Sequence, residues 1–146
     1  MPIPIIRIVA IGRVGEDYLR IGMAEYAKRL RPFCKLEVVE LKDEGLKKEG
    51  ERLEKYMDGP GTFVLDAAGK EMDSQAFSKL VCPNNTSTTS LTFIIGSAEG
   101  IDESIKKRAL LISLSKMTFT HEMCRLFLIE QVYRGFMIAK NRPYHK

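Results

Sequence analysis

The chain has little of what metal, disulfide or membrane chemistry requires. Its three cysteines, Cys34, Cys82 and Cys124, are scattered and form neither a CxxC pair nor a Cys/His cluster, so reduced, buried thiols are expected rather than a zinc site. Histidine occurs only as His121 and His145, and a transition-metal site would have to be improvised from dispersed carboxylates, so no metal is expected. No apolar run approaches the roughly 20 residues that cross a bilayer. The apolar opening, Ile3 to Ile11, is interrupted by Arg7, lacks a basic leader and a small-residue cleavage site, and runs into Gly12; it reads as a first strand, and a cytoplasmic protein is expected. A GxxxxGK[ST] phosphate loop is missing, and GSAEG at 96–100 lacks the three-glycine spacing of a dinucleotide fingerprint. Internal repeats, low-complexity tracts and linkers are also missing, and the polar run Asn84–Ser90 reads as a surface loop.

What is present fits one compact unit. With 146 residues, 45% hydrophobic and 29% charged, the chain can bury one substantial core, and a single domain over 1–146 is expected. The net charge of +4 is unevenly placed: residues 1–100 hold 14 Lys/Arg against 15 Asp/Glu, whereas 101–146 hold 9 against 4. That excess suits a polyanion meeting the C-terminal third, although an ordinary solvated basic surface accounts for charge alone equally well.

Periodicity sets the order of elements. Leu19, Met23, Tyr26 and Leu30 form one helical stripe that Pro32 stops, and KLEVVEL at 35–41 is a β-prone run. The charged stretch 43–57 keeps Leu46, Leu53 and Met57 at helical spacing. Strands are expected at Thr62–Asp66, Leu91–Gly96 and Leu110–Ser115. Between them lie a helix starting near Asp73 or Ser74, another capped by Asp102 and running to about Ala109, and a long final helix over roughly 121–139. Five strands alternating with helices predict an α/β fold, a parallel sheet with helices on both faces.

In such sheets ligands bind beyond the carboxyl ends of the strands. Three loops qualify: Asp66–Lys70, Gly96–Gly100 and Ser115–Thr120. Small residues in the first two let a flat ligand approach the main chain. Any one such loop is most simply a connection of the fold, but three converging loops are not.

The segment SKMTFTHEMCRLFLIEQVYR, residues 115–134, carries a specific resemblance. Together with IGR after the first strand, AEYAKRL, VLDAAGK, IIGSAEG and the terminal RPYHK, it resembles the RlmH family of SPOUT-class methyltransferases over essentially the whole chain. The resemblance implies a C-terminal deep trefoil knot, which periodicity alone does not predict. It implies methyl transfer from S-adenosyl-L-methionine to N3 of a pseudouridine in the large-subunit rRNA stem-loop at the ribosomal subunit interface. It also implies cofactor contacts at Leu65, Gly96, Leu114, Ser115, Lys116, Met117, Thr118 and Phe119, and a homodimer in which the partner's C-terminal tail completes each pocket. The chain departs from many relatives at Ser97, where they carry a second glycine, and at Thr120, where they carry proline; crowding of the cofactor loop and a looser turn are the expected consequences.

Methylating an imide nitrogen requires removal or offset of its proton. His145 is the preferred group for this, because imidazole titrates nearest neutrality, with Tyr144 and Arg142 beside it as further catalytic candidates. Tyr144, on a tail expected to be flexible, is suited to stack on an unpaired base. Arg125, Arg134, Arg142 and Lys146 are candidates for gripping rRNA phosphates. For Arg125 and Arg134 the plain structural alternative is a surface ion pair, and Glu130, four residues before Arg134, is read as its partner. His121 is expected to fix its loop by hydrogen bonding, and Cys124 to pack in the core rather than act as a nucleophile. Two competing readings are a flavodoxin-like nucleotide or flavin binder and a non-catalytic knotted ribosome-associated RNA-binding module. The missing phosphate loop argues against the first, and the intact SKMTF loop and YHK tail against the second.

Overall fold

A computed structural model describes residues 3–57, 61–83 and 90–145. The elements follow in the order β1 (Ile5–Ile11), α1 (Asp17–Leu30), β2 (Lys35–Leu41), α2 (Leu46–Leu53), a 3-10 turn (Glu54–Tyr56), β3 (Thr62–Glu71), α3 (Ser74–Val81), β4 (Ser90–Ile95), α4 (Glu103–Lys106), β5 (Leu110–Ser113) and α5 (His121–Ala139). The five strands form one sheet in the order β2-β1-β4-β3-β5, and every neighbouring pair is parallel.

The alternation of side chains along the buried strands divides the core in two. Ile6, Ile8 and Ala10 of β1 face a cluster built with Leu30 of α1, Phe77 and Val81 of α3, and Leu128, Val132 and Phe136 of α5. Val9 and Ile11 of the same strand face the opposite cluster, with Leu53 of α2 and Ile105 of α4. Helices therefore cover both faces, as the strand–helix alternation predicts. The expected polar loop at Asn84–Ser90 lies outside the described residues except for Ser90, which opens β4.

Caps set several helix starts. Asp73 accepts from the Ala76 amide at 2.8 Å, and Asp102 accepts from the Ser104 amide at 2.8 Å. The helix after Asp102 is shorter than its sequence suggests, ending at Lys106 rather than near Ala109. Thr120 corrects an expectation: its Oγ1 accepts from the Met123 amide at 3.1 Å, so it caps α5 instead of loosening the turn.

A second correction concerns β3. It does not stop at Asp66: Phe63 to Leu65 pair with Leu110 to Ile112, the chain bulges over Asp66–Gly69, and Lys70 and Glu71 pair again with Ile112 and Ser113. The bulge passes so close to β5 that a Cβ on Gly69 would lie 2.6 Å from the Leu111 carbonyl carbon and 2.7 Å from the Ile112 nitrogen. Only glycine permits that approach.

Candidate active site

The carboxyl ends of β3, β4 and β5 open into a cavity of about 680 Å³. Leu65, Asp66 and Ala67 line it from β3, and Gly96, Ser97, Ala98 and Gly100 from the loop after β4. Leu114, Ser115, Met117, Thr118 and Phe119 line it from the loop after β5, and His121, Glu122 and Cys124 from the first turn of α5. Of the eight residues expected to hold a cofactor, Lys116 alone stands outside this lining; it is exposed, with Nζ 3.6 Å from a Glu71 carboxylate oxygen. The peptide carries the lysine past the cavity with its side chain turned to solvent.

The loop after β4 is tight because it must be. A Cβ on Gly96 would sit 2.4 Å from the Gly100 carbonyl oxygen and 2.5 Å from Ile101 Cγ1, so a larger residue would push the loop into the cavity. Ser97 organises the turn: its carbonyl accepts from the Gly100 amide at 2.9 Å and its Oγ from the Glu99 amide at 3.2 Å. The loop after β5 is held similarly, with Ser113 Oγ donating to the Ser115 carbonyl at 2.8 Å and Ser115 Oγ accepting from the Met117 amide at 3.0 Å. At the rim, Lys106 Nζ lies 2.7 Å from Asp66 Oδ2, and the Asp66 Oδ1 accepts from the Ala68 amide at 2.8 Å. The lysine first, and that amide second, hold the Asp66 carboxyl below its ordinary value. Sequence reasoning took in Asp66 as the start of a candidate loop but passed over Lys106 and the pair itself, because the pairing joins the β3 bulge to α4.

His121 lines the cavity, but its imidazole makes no hydrogen bond among the described residues, so the expectation that it fixes its loop by such a bond is not met. Its neighbour Glu122 does that work, accepting from the Gly15 amide and so tying the β1–α1 loop to the start of α5. Burial raises the Cys124 thiol above its ordinary value, which keeps it protonated and argues against a nucleophile; Cys34 is pushed up to about 12 by the same cause.

Arg125 is a correction of greater weight. It has no exposed surface, and its guanidinium donates to the Ile11 carbonyl at 3.0 Å, the Gly12 carbonyl at 2.8 Å and Glu40 Oε2 at 2.6 Å. It binds α5 to the ends of β1 and β2 and cannot reach a phosphate.

The tail is a correction as well: it is seated, not loose. Tyr144 donates to Glu130 Oε2 at 2.8 Å, so in its 2.8 Å contact with Tyr26 the Tyr26 hydroxyl is the donor. Its ring meets Tyr133 edge to face at 4.8 Å and lies under the Arg134 guanidinium at 4.8 Å. Burial first, and then the bonds to Tyr26 and Glu130, raise the Tyr144 phenol, which therefore stays a hydrogen-bond donor. The anticipated Glu130–Arg134 pair is present at 2.8 Å. Arg134 also approaches His145 Nδ1 at 3.1 Å; arginine only donates, so Nδ1 accepts and the basic nitrogen of His145 is occupied in this seat. None of Arg142, Tyr144 and His145 lines the cavity of their own subunit. Arg142 is exposed, with its guanidinium over the Phe33 ring at 5.3 Å, and Lys146 lies outside the described residues.

Comparison with known proteins places this geometry. Residues 5–145 match the family described as Predicted SPOUT methyltransferase. The chain is 43% identical to Ribosomal RNA large subunit methyltransferase H of Ligilactobacillus salivarius (strain UCC118), over 97% of this chain and 99% of that one. It is 40% identical to the protein of the same name from Carboxydothermus hydrogenoformans, with the same coverage. Among solved structures, tRNA (m1G37) methyltransferase from Aquifex aeolicus superposes with a TM-score of 0.52 at 18% identity, over 92% of this chain and 70% of that one. At that identity the likeness speaks for the fold. Among the described residues, no helix is long and apolar enough to cross a membrane, and no three His, Cys, Asp or Glu side chains gather as a metal site.

Proposed function

The chain belongs to the SPOUT methyltransferases and, within them, to the ribosomal RNA large subunit methyltransferase H family, and we propose that it methylates N3 of a pseudouridine in large-subunit rRNA. The target is the stem-loop at the subunit interface, presented by the ribosome or large subunit, and the methyl donor is S-adenosyl-L-methionine. The observation that carries this reading is the cavity at the ends of β3, β4 and β5, where the small residues of the 96–100 turn face the apolar side chains of Leu65, Leu114 and Phe119. Its size suits a nucleoside-bearing ligand, and exposed peptide groups can read an adenine edge without charged side chains.

The donor, when bound, supplies a methyl group activated by a sulfonium. Gly96, with no side chain, lets the 96–100 turn close on itself at the cavity wall, and Leu65, Leu114 and Phe119 would exclude water from the donor. His145 handles the N3 proton once its Nδ1 leaves Arg134, and Tyr144, as a donor, and Arg142, as a cation, offset charge on the imide. Because His145 sits away from its own cavity, the working unit is a homodimer in which each tail serves the partner's cofactor. Tyr18 and Ile21 of α1, both exposed and largely apolar, are the surface for that contact. Arg134, Arg142 and Lys146 grip phosphates.

Residues 1–146 act as one cytoplasmic domain. The close passage of the Asp66–Gly69 bulge over β5 supports a trefoil knot, in which the C-terminal part is threaded through that crossing.

The test is transfer of labelled methyl to ribosomes lacking this modification, followed by mapping of the labelled nucleotide. Label on N3 of an interface pseudouridine is the expected result. Label elsewhere overturns the substrate, and no label despite cofactor binding favours a non-catalytic RNA-binding module.

A further inference from the structure

A second cavity, of about 520 Å³, opens between α3, the end of β5 and α5. Leu114 and Phe119 line both cavities, so the two hollows meet across these side chains. Phe77, Ile112, Phe119 and Phe127 give it apolar walls, with Phe119 and Phe127 edge to face at 5.1 Å. Ser74, Glu130 and Gln131 give it one hydrogen-bonding side. Aromatic walls with a few fixed polar groups are what an extruded base needs, since its faces are apolar and its edge is not.

Gln131 is the fixed group. Its Oε1 accepts from Ser74 Oγ at 2.7 Å, and its Nε2 donates to Glu130 Oε1 at 2.8 Å. A carboxylate only accepts, so the nitrogen must face Glu130 and the amide cannot flip. A carboxamide has two N–H bonds and two carbonyl lone pairs; one of each is used, and one of each remains.

Resting on the reading above, that the substrate is a pseudouridine, we propose that this cavity receives the target base and that Gln131 distinguishes pseudouridine from uridine. Pseudouridine is joined to its sugar through carbon, so its N1 keeps a hydrogen beside O2. That donor and acceptor match the lone pair and N–H that Gln131 has left. The equivalent edge of uridine presents C5–H beside O4, which satisfies the amide N–H but leaves the amide oxygen facing carbon. A site built to hydrogen-bond a group rejects the analogue that lacks it more strongly than apolar contact can. Pairing at N1 and O2 also leaves N3 unengaged for the chemistry at the shared Leu114–Phe119 wall.

The experiment compares methyl transfer to ribosomes carrying pseudouridine or uridine at the target, with cofactor binding by calorimetry as the check that each variant is folded. The unaltered chain should prefer pseudouridine in kcat/KM by about 100-fold, the effect of leaving one amide oxygen unpaired against uridine. Gln131→Met should bring the preference to within about threefold, and Ser74→Ala, which frees the amide, should fall between. A folded, active Gln131→Met that keeps the original preference removes the role of Gln131 alone, and an unaltered chain that methylates both substrates equally removes it too. Failure of the unaltered chain to methylate either substrate removes the proposed function along with it.

Discussion

Arg125 and Arg134 lie nine residues apart on one helix, and they have opposite fates. Nine residues are about two and a half turns, which places the two side chains on opposite faces. Arg125 is wholly buried against the ends of β1 and β2, whereas Arg134 keeps a quarter of its side chain exposed among Glu130, Tyr144 and His145. Thus α5 is two devices in series. Its first turns are a wall of the cavity at the strand ends, anchored to the sheet, and its last turns are the seat of the tail.

The most severe way to break this division is to ask whether both devices serve the same active site. Gly96→Val disables the cavity and His145→Ala disables the tail, and either substitution alone should lower methyl transfer about 100-fold or more. If tails act across the dimer, co-folding the two chains in equal amounts should restore about a quarter of full activity, because half the dimers are mixed and one site in each is intact. No recovery would mean that each tail serves its own subunit. The two arginines give a gentler test. Arg125→Met leaves the Ile11 and Gly12 carbonyls without their side-chain donor and should cost about 3 kcal/mol, lowering the Tm by about 10 °C in thermal unfolding. Arg134→Gln should leave the Tm within about 2 °C while lowering methyl transfer to ribosomes about 10-fold. Equal effects of the two substitutions on stability would erase the distinction.

The opposition of the arginines was readable in advance from their spacing, but a polyanionic substrate invites every cation to be counted toward it. The strands and helices were legible because their apolar periods are clean: KLEVVEL is β2 residue for residue, and the pattern over 121–139 is α5. The three loops were legible because parallel strands deliver their ends to one edge. The continuation of β3 was not, since Ala67, Ala68 and Gly69 have little strand preference, and the pairing is imposed by β5 more than forty residues later. Nor was the tail's seat, which depends on Tyr26 meeting Tyr144 across 118 residues of chain. Local patterns foretell elements and the edge where a site forms, whereas the contacts that hold the site in shape are long-range.

One such contact should be separable by pH, with the smallest effect of all. The Asp66–Lys106 pair joins the β3 bulge to α4 at the cavity rim, and the lysine holds the Asp66 carboxyl below its ordinary value of 3.8 while the lysine itself is raised. A lowered carboxyl contributes its stabilisation in full above that ordinary value and loses it as pH falls through the lowered one. Lys106 stays charged throughout that window, so acid acts through Asp66. Asp66→Asn should therefore weaken cofactor binding about threefold at neutral pH, by calorimetry, and the difference between variant and unaltered chain should close as pH drops below about 4. A difference that persists in acid would mean that Asp66 holds the bulge by shape and not through its charge, and no difference at any pH would mean that its bond to the Ala68 amide, which asparagine can also make, is what matters.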